Sequence, residues 1–460
     1  MRLSDSISKL MVDAGCGHRH FRSTYIEALD LYTSPPPETA GSTLPILLHP
    51  AYEVAWYNRN PAAIEFYSQW ADAWTEHQEP GHYATSIDVK TGKVVGAHKT
   101  QVGRGGYRTQ GIAWLGIYEL TKDPRFLKPF IMAVDAGHTA IRVHYGANYA
   151  NASHFLEYLR KKNRVDLLPT YAYYVATGKT DRLEAGLESA VAEWQRFGHM
   201  YTAAEPYTDR VFTLPFIEVF NCYLGSYAAR NIFPHNFAVS YEGLGKDFAA
   251  LVGPSDEKSL KVTFYSFSEK LLRGRMRVWR LNHGKYRIRS GPDRNNDGVM
   301  DHVAEEREAV LHRRAPVSLA LRPRIQTRVE IQLIEPLDDL LDRADLALSH
   351  LDTTRDVKFT WQYDSLLTIR VHNIGARPAE NVEVALFREG KKIFTKVLPM
   401  IEAPLDLKPR VAVIYTAAAQ VGDMIVVDPD NEIPEITEHN NRLVIGESGV
   451  LAWPVDPEKE

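Results

Sequence analysis

Apolar residues recur three and four positions apart over the first half of the chain and at every second position over much of the rest. The first spacing lines one face of an α-helix, the second one face of a β-strand. YNRNPAAIEFYSQWADAW (Tyr57–Trp74), YELTKDPRFLKPFIMAVDAG (Tyr118–Gly137) and YVATGKTDRLEAGLESAVAEW (Tyr174–Trp194) share one arrangement. An aromatic helix end leads into a short polar turn with Asn, Asp or Gly, and an amphipathic helix follows. Helical hairpins that cannot bury their own faces must stack on one another. The apolar helices at 45–56 and 109–120 are expected to form an inner layer, and the Glu- and Lys-bearing ones an outer layer.

From Ser259 the period changes. LKVTFYSFS, RMRVWRLN, KYRIRSG and RVEIQLIEP alternate apolar with polar residues between Gly and Pro, which predicts antiparallel strands and a β-sandwich. After Pro336 a charged stretch, LDDLLDRA, leads into a last β module. The expected division is a helical domain over 1–235, a sandwich over 236–336 and a separate module over 345–447.

Two segments interrupt these patterns. Residues 79–108, EPGHYATSIDVKTGKVVGAHKTQVGRGGYR, form a long insertion among the helices. Its Arg104, Tyr107 and Arg108 suit an acidic sugar chain, Arg pairing with carboxylate and Tyr covering a ring face. The alternative is a solvated β-hairpin at the domain edge. In GPDRNNDGVMD, Asp293, Asn295, Asp297, Gly298 and Asp301 fall at positions 1, 3, 5, 6 and 9 of an EF-hand-like loop. The twelfth position is Ala304, with Glu305 one beyond, and the loop joins strands. A structural Ca²⁺ and a metal-free Asx-rich turn are both open readings.

Composition narrows the function classes. With 44% hydrophobic and 24% charged residues the chain reads as a globular protein of several domains. A net charge of −4 predicts no general affinity for nucleic acid or anionic membrane. No apolar run reaches the ~18 residues of a membrane span. Met1–Leu10 lacks the apolar core of a signal peptide, so the protein is cytoplasmic or its leader precedes this numbering. Cys16 and Cys222 allow one disulfide at most. Oligomeric state is not legible.

The repeated hairpins, with turns of the type Y-x-x-T-x-D-x-x-x-L, resemble the α/α toroid or incomplete barrel of polysaccharide lyases and uronyl hydrolases. The last module resembles the CARDB family of immunoglobulin-like bacterial modules. That resemblance rests on the N-x-G turn at Asn373–Gly375, the strand VEVALF, and D-P-D-N-x-I-x-E-x-x-E-x-N-N over Asp428–Asn441. It implies an extracellular or cell-surface protein in which this module is not catalytic. The expected fold class is therefore multidomain α + β, a toroid-like helical domain followed by antiparallel β-sandwiches, the last Ig-like.

Candidate chemistry gathers in HYGANYANASHFLEY (His144–Tyr158). Asn151 suits a helix N-cap, with Asn148 and Tyr149 on the entering loop and His154 about one turn inside. The bland alternative is that Asn caps, Tyr packs and His is a satisfied polar neighbour. With the two resemblances, these residues point to β-elimination on a uronate-containing polysaccharide. Asn151 or Arg108 would neutralise the C6 carboxylate, and His154 and Tyr149 would be base and acid in either order. His49, Asn148, Arg104, Tyr107, Tyr207, Arg210 and His235 are candidate substrate-binding residues, and no catalytic cofactor is expected. The expected partner is an acidic poly- or oligosaccharide.

A glycoside hydrolase is the next reading and needs two carboxylates, for which Glu53, Asp72, Asp135 and Glu218 are available. A uronate C5-epimerase would use the lyase's proton chemistry, and a non-catalytic surface binding protein is the third class. His18 and His20, two apart in GCGHRHF, have the spacing of metal ligands, but no third ligand adjoins them in sequence.

Overall fold

The structure, a computed structural model, describes residues 1–13, 17–21, 39–41, 47–79, 83–88, 91–98, 107–136, 153–168, 170–203, 217–225, 237–349, 354–357, 365–408 and 410–446. These form two compact units. One comprises Leu10–His49 and Ser68–Asp338; the other comprises Met1–Lys9, Pro50–Tyr67 and Asp339–Glu460.

The helices are α1 (Arg2–Ser8), α2 (His49–Asn58), α3 (Pro61–Glu76), α4 (Tyr107–Thr121), α5 (Lys128–Asp135), α6 (Ser153–Lys161), α7 (Thr170–Thr177), α8 (Asp181–Ala203) and α9 (Ile217–Leu224). The repeated turn has one physical basis in all three copies. Arg59, Lys122 and Gly178 each adopt a left-handed φ, at 54°, 57° and 75°. Each donates its N–H to the carbonyl four residues back, Ala55, Tyr118 and Tyr174, at 2.7–2.8 Å. The preceding side chain then accepts from the N–H two residues on: Asn58 Oδ1 from Asn60, Thr121 Oγ1 from Asp123, and Thr177 Oγ1 from Lys179. A helix end whose carbonyls are closed this way turns sharply, and the next helix starts at once.

The insertion is not a plain loop. Its alternating residues form β4 (Tyr83–Asp88) and β5 (Val94–His98), and β3 (Thr39–Gly41) pairs with β4. Asp88 Oδ1 accepts from the N–H and hydroxyl of Thr91, which closes the connecting turn. Tyr107 and Arg108 belong to the first turn of α4. A smaller hairpin, β1 (Met11–Asp13) with β2 (Arg19–Phe21), precedes them.

In the first unit Trp70, Trp74, Trp114, Tyr118, Phe126, Phe130 and Phe155 are fully buried, an aromatic core between helices. Trp114 meets Phe130 edge-on at 6.0 Å, and Phe130 lies 5.9 Å from Phe155. On α6, Phe155, Leu156 and Leu159 face this core while Glu157 and Arg160 face solvent.

A β-sandwich follows α9 in sequence. Its five-stranded sheet runs β11 (Glu305–Leu311), β10 (Gly284–Pro292), β13 (Gln326–Pro336), β8 (Ser259–Ser266) and β7 (Phe248–Ser255). The three-stranded sheet runs β12 (Pro316–Leu321), β9 (Leu272–Val278) and β6 (Val239–Glu242). Strict burial alternation, as in Val317, Leu319 and Leu321, faces both sheets onto one core. Helices and sandwich share hydrogen bonds: Tyr171 donates to the Val252 carbonyl at 2.7 Å and Tyr241 to that of Tyr223 at 2.9 Å. Gly225, after the last residue of α9, has φ 63°, and an added Cβ there would meet Val252 Cγ1 at 2.6 Å.

In the other unit, β16 (Ser365–Asn373) pairs with β14 (Leu346–Leu348), β15 (Thr354–Val357) and β19 (Arg410–Thr416). A second sheet runs β18 (Lys391–Ile401), β17 (Ala379–Arg388), β20 (Met424–Val427) and β21 (Arg442–Val444). Leu346, Ile369, Val371, Val384, Leu386, Ile425, Val427 and Leu443 fill its core. The polar ending ties the module's start to its finish. Asp428 accepts from the N–H groups of Glu432 and Ile433, Glu435 from Leu346 N–H and Asn441, and Asn440 donates to Asp345.

The α2–α3 turn belongs to this unit as well. Tyr57 donates to Asp345, Asn58 to the Ile374 carbonyl at 2.7 Å, and Asn60 to the carbonyls of Pro404 and Asp406. The module has its own apolar core, yet its polar end is completed by a segment hundreds of residues earlier.

Candidate functional site

The start of α6 carries the first candidate. The helix begins at Ser153, so His154 is its second residue, and it is exposed to solvent. Its Nδ1 lies 2.7 Å from the hydroxyl of Tyr118, whose ring meets the imidazole edge-on at 5.8 Å. Tyr118 is buried near the end of α4, and its hydroxyl also lies 3.2 Å from Ser153 Oγ. A phenol can donate or accept, so it supports either imidazole tautomer and fixes the ring in both. An exposed imidazole held by a buried hydroxyl can take a proton as the neutral ring and give one as the imidazolium.

Tyr149, Asn151 and Asn148, proposed from sequence to surround His154, lie outside the described residues, as do Arg104, Tyr207, Arg210 and His235. Arg108 and Tyr107 are placed only as backbone in the first turn of α4, the helix that also carries Tyr118. His49 is half-buried at the first position of α2. Sequence reasoning missed Tyr118, which lies 36 residues before His154 and reads as a core aromatic.

The Asp-rich loop between β10 and β11 is ordered by its own side chains. Asp293 is fully buried, and its carboxylate accepts from the N–H groups of Asp297 and Gly298 and from Gln326 Nε2. Asp297 accepts from Val299 N–H and from Asn295 Nδ2, both at 2.8 Å, while Asp301 accepts from Arg294 N–H at 3.4 Å. Asp293 Oδ2 accepts two of these bonds, from Gly298 and Gln326, while Asp293 Oδ1 and both Asp297 oxygens accept one each and retain a lone pair that can serve a cation as well as the turn.

A second polar cluster joins residues far apart in sequence. His20 lies in the middle of β2 and His18 immediately before that strand, and His77 follows the last residue of α3. One ring nitrogen from each lies within 4.8 Å of those of the other two. His20 is fully buried and keeps its imidazole neutral, its pKa lowered to about 4 by burial first and by the neighbouring histidines second. Burial and His18 lower that of His77 as well. Glu76 lies 2.9 Å from His18 Nε2. The H-x-H spacing was visible in sequence; its third member was not.

Comparison with known proteins places the C-terminal module. Residues 344–444 match the CARDB family. The CARDB module coincides with the two-sheet unit whose polar ending is described above. Among curated proteins, none matches the chain significantly. Similar solved structures include the β-glucuronidase from Ruminococcus gnavus with uronic isofagomine, at 11% identity and a TM-score of 0.15, over 41% of this chain and 36% of that one. The same enzyme with D-glucuronic acid gives 13% identity and a TM-score of 0.15 over the same shares. The chain thus spans little more than a third of that enzyme's length, and likeness this distant says nothing of the reaction. Among the described residues no helix is long and apolar enough to cross a membrane.

Proposed function

We propose that the chain is a secreted or surface-attached enzyme that cleaves a uronate-containing polysaccharide by β-elimination. The observation that carries the reading is the exposed His154 imidazole, held at 2.7 Å by the buried Tyr118 hydroxyl, in a helix that the Asn- and Tyr-rich stretch precedes in sequence. In this reading the helical hairpins build a toroid or open barrel, and the CARDB module supports the extracellular setting. Asn151 or Arg108 neutralises the C6 carboxylate, which makes the C5 proton more acidic. One of His154 and Tyr149 removes that proton, the electron pair forms the C4–C5 double bond, and the other protonates the departing C4 oxygen. Tyr118 positions the imidazole. A Ca²⁺ in the Asp293–Asp301 loop would be structural.

A hydrolase on the same scaffold is less well supported, because two of the four candidate carboxylates are engaged. Asp72 pairs with Arg125 at 3.2 Å. Asp135 takes the Tyr158 hydroxyl and Lys162, which hold its carboxyl below the usual range, unlike a general acid. The test is incubation with a panel of uronate polysaccharides, reading the ultraviolet absorbance of the conjugated unsaturated product. His154→Ala and Tyr149→Phe should each lower turnover ~10²–10⁴-fold. New reducing ends without that absorbance would replace the lyase reading with hydrolysis, and neither signal would leave a binding protein.

A further inference from the structure

We propose that His18, His20 and His77 form a binding site for a divalent transition-metal ion of the Zn²⁺ class. Two of the ligands come from one short stretch: His20 sits in the middle of β2 and His18 immediately before the strand. The end of α3 supplies the third. The ring centroids lie 6.1 Å (His18–His20), 5.4 Å (His18–His77) and 5.8 Å (His20–His77) apart. Three imidazoles on one tetrahedral ion, with Zn–N of about 2.0–2.1 Å, have centroids roughly 5.2 Å apart. The observed spacing therefore needs only a small contraction.

A second observation points to a ligand. Both ring nitrogens of the fully buried His20, and Nε2 of His77, are shielded from solvent with no hydrogen-bond partner among the described residues. A buried polar atom without a partner is costly and uncommon. An ion takes one nitrogen from each ring, so a coordinated cation would satisfy one of the two on His20 and one on His77. Imidazole is a ligand for Zn²⁺-class ions and a poor one for Ca²⁺ or Mg²⁺. Glu76, at 2.9 Å from His18 Nε2, is the outer carboxylate that orients a ligating histidine. His18 and His77 are partly exposed, so the fourth position opens toward solvent, as in three-histidine sites that keep a water. The site also suits the local fold. Strands β1 and β2 have three residues each, and so short a hairpin is marginal in water. An ion shared with the end of α3 fastens it.

The test uses tag-free, full-length protein stripped of metal and titrated with Zn²⁺ against a chromophoric chelator. The expected result is one equivalent bound per chain and a higher Tm, and Co²⁺ in its place should give the visible absorption of imidazole-bound cobalt. His18→Gln and His77→Gln, both at partly exposed positions, should each weaken Zn²⁺ at least tenfold, with the circular dichroism of the parent. Glu76→Gln, exposed and free of folding risk, should weaken it by about 10–100-fold. Failure of the parent to hold one equivalent, or parental affinity in the folded histidine variants, would overturn the site. The readout is metal binding, so it stands apart from the proposed polysaccharide chemistry.

Discussion

Asn60 offers a clean test of how the C-terminal unit is completed. It is the N-cap of α3, ahead of Pro61 at the first helical position, and its Oδ1 accepts from Ala63 N–H at 2.9 Å. Its Nδ2 donates to the carbonyls of Pro404 and Asp406, and the residue is only 2% exposed. Asn60→Ala removes the cap, worth ~1 kcal/mol. It also strands the buried Pro404 carbonyl, at about 1–3 kcal/mol, and the half-buried Asp406 carbonyl at less. The expected destabilisation is about 3 kcal/mol or more, a fall in Tm of roughly 6–12 °C for a unit of this size. Asn60→Ser separates the two effects, because Ser caps a helix well but is too short to reach the carbonyls. It should recover about 1 kcal/mol of the loss seen in the Ala variant and keep the rest. The assay is urea unfolding followed by circular dichroism, with calorimetry for Tm. An Ala variant within ~0.5 kcal/mol of the parent, the range of ordinary surface changes, would refute the claim that this turn completes the module.

Three further outcomes are expected. Burial raises the Glu435 carboxyl to about 8 from an ordinary 4.5, so the folded module holds a proton that the unfolded chain releases. Its contribution is full below pH 4.5 and is lost as pH rises through about 8, several kcal/mol at most; Glu435→Gln should flatten a pH series of melts, and an unchanged slope would count against the burial argument. Tyr118→Phe should lower polysaccharide turnover and shift its pH profile while leaving Tm close to that of the parent, since one oxygen is lost and the ring stays packed; an unaltered profile would remove Tyr118 from the positioning of His154. A chelator should lower Tm if the Asp293–Asp301 loop holds Ca²⁺, and Asp297→Ala should abolish that sensitivity; a chelator-insensitive parent would leave the loop as a turn closed by its own carboxylates.

The parts of this protein legible in sequence are those governed by near neighbours. Helix spans followed from the three-and-four spacing because backbone hydrogen bonds close four residues apart, and α3 begins where Pro61 follows Asn60. The repeated turns were visible because Asn58, Thr121 and Thr177 close each helix end with their own side chains. Strand alternation gave the sandwich, and the Asp428–Asn441 motif marked the CARDB module, since both record contacts within one element or its adjoining turn. The hairpin at 83–98 was present only as an alternative, because Gly and cations hid a short alternation.

What tertiary structure decided are the meetings of distant residues. Tyr118 looked like core until packing carried its hydroxyl to His154. His77 sat at an unremarked helix end until the β1–β2 hairpin brought His18 and His20 to it. Asn60 reads as a local cap, yet its amide is spent on carbonyls 344 and 346 residues away. Periodicity tells which face of an element is buried, but a polar side chain's partner depends on how whole elements pack, and that choice has no period along the chain.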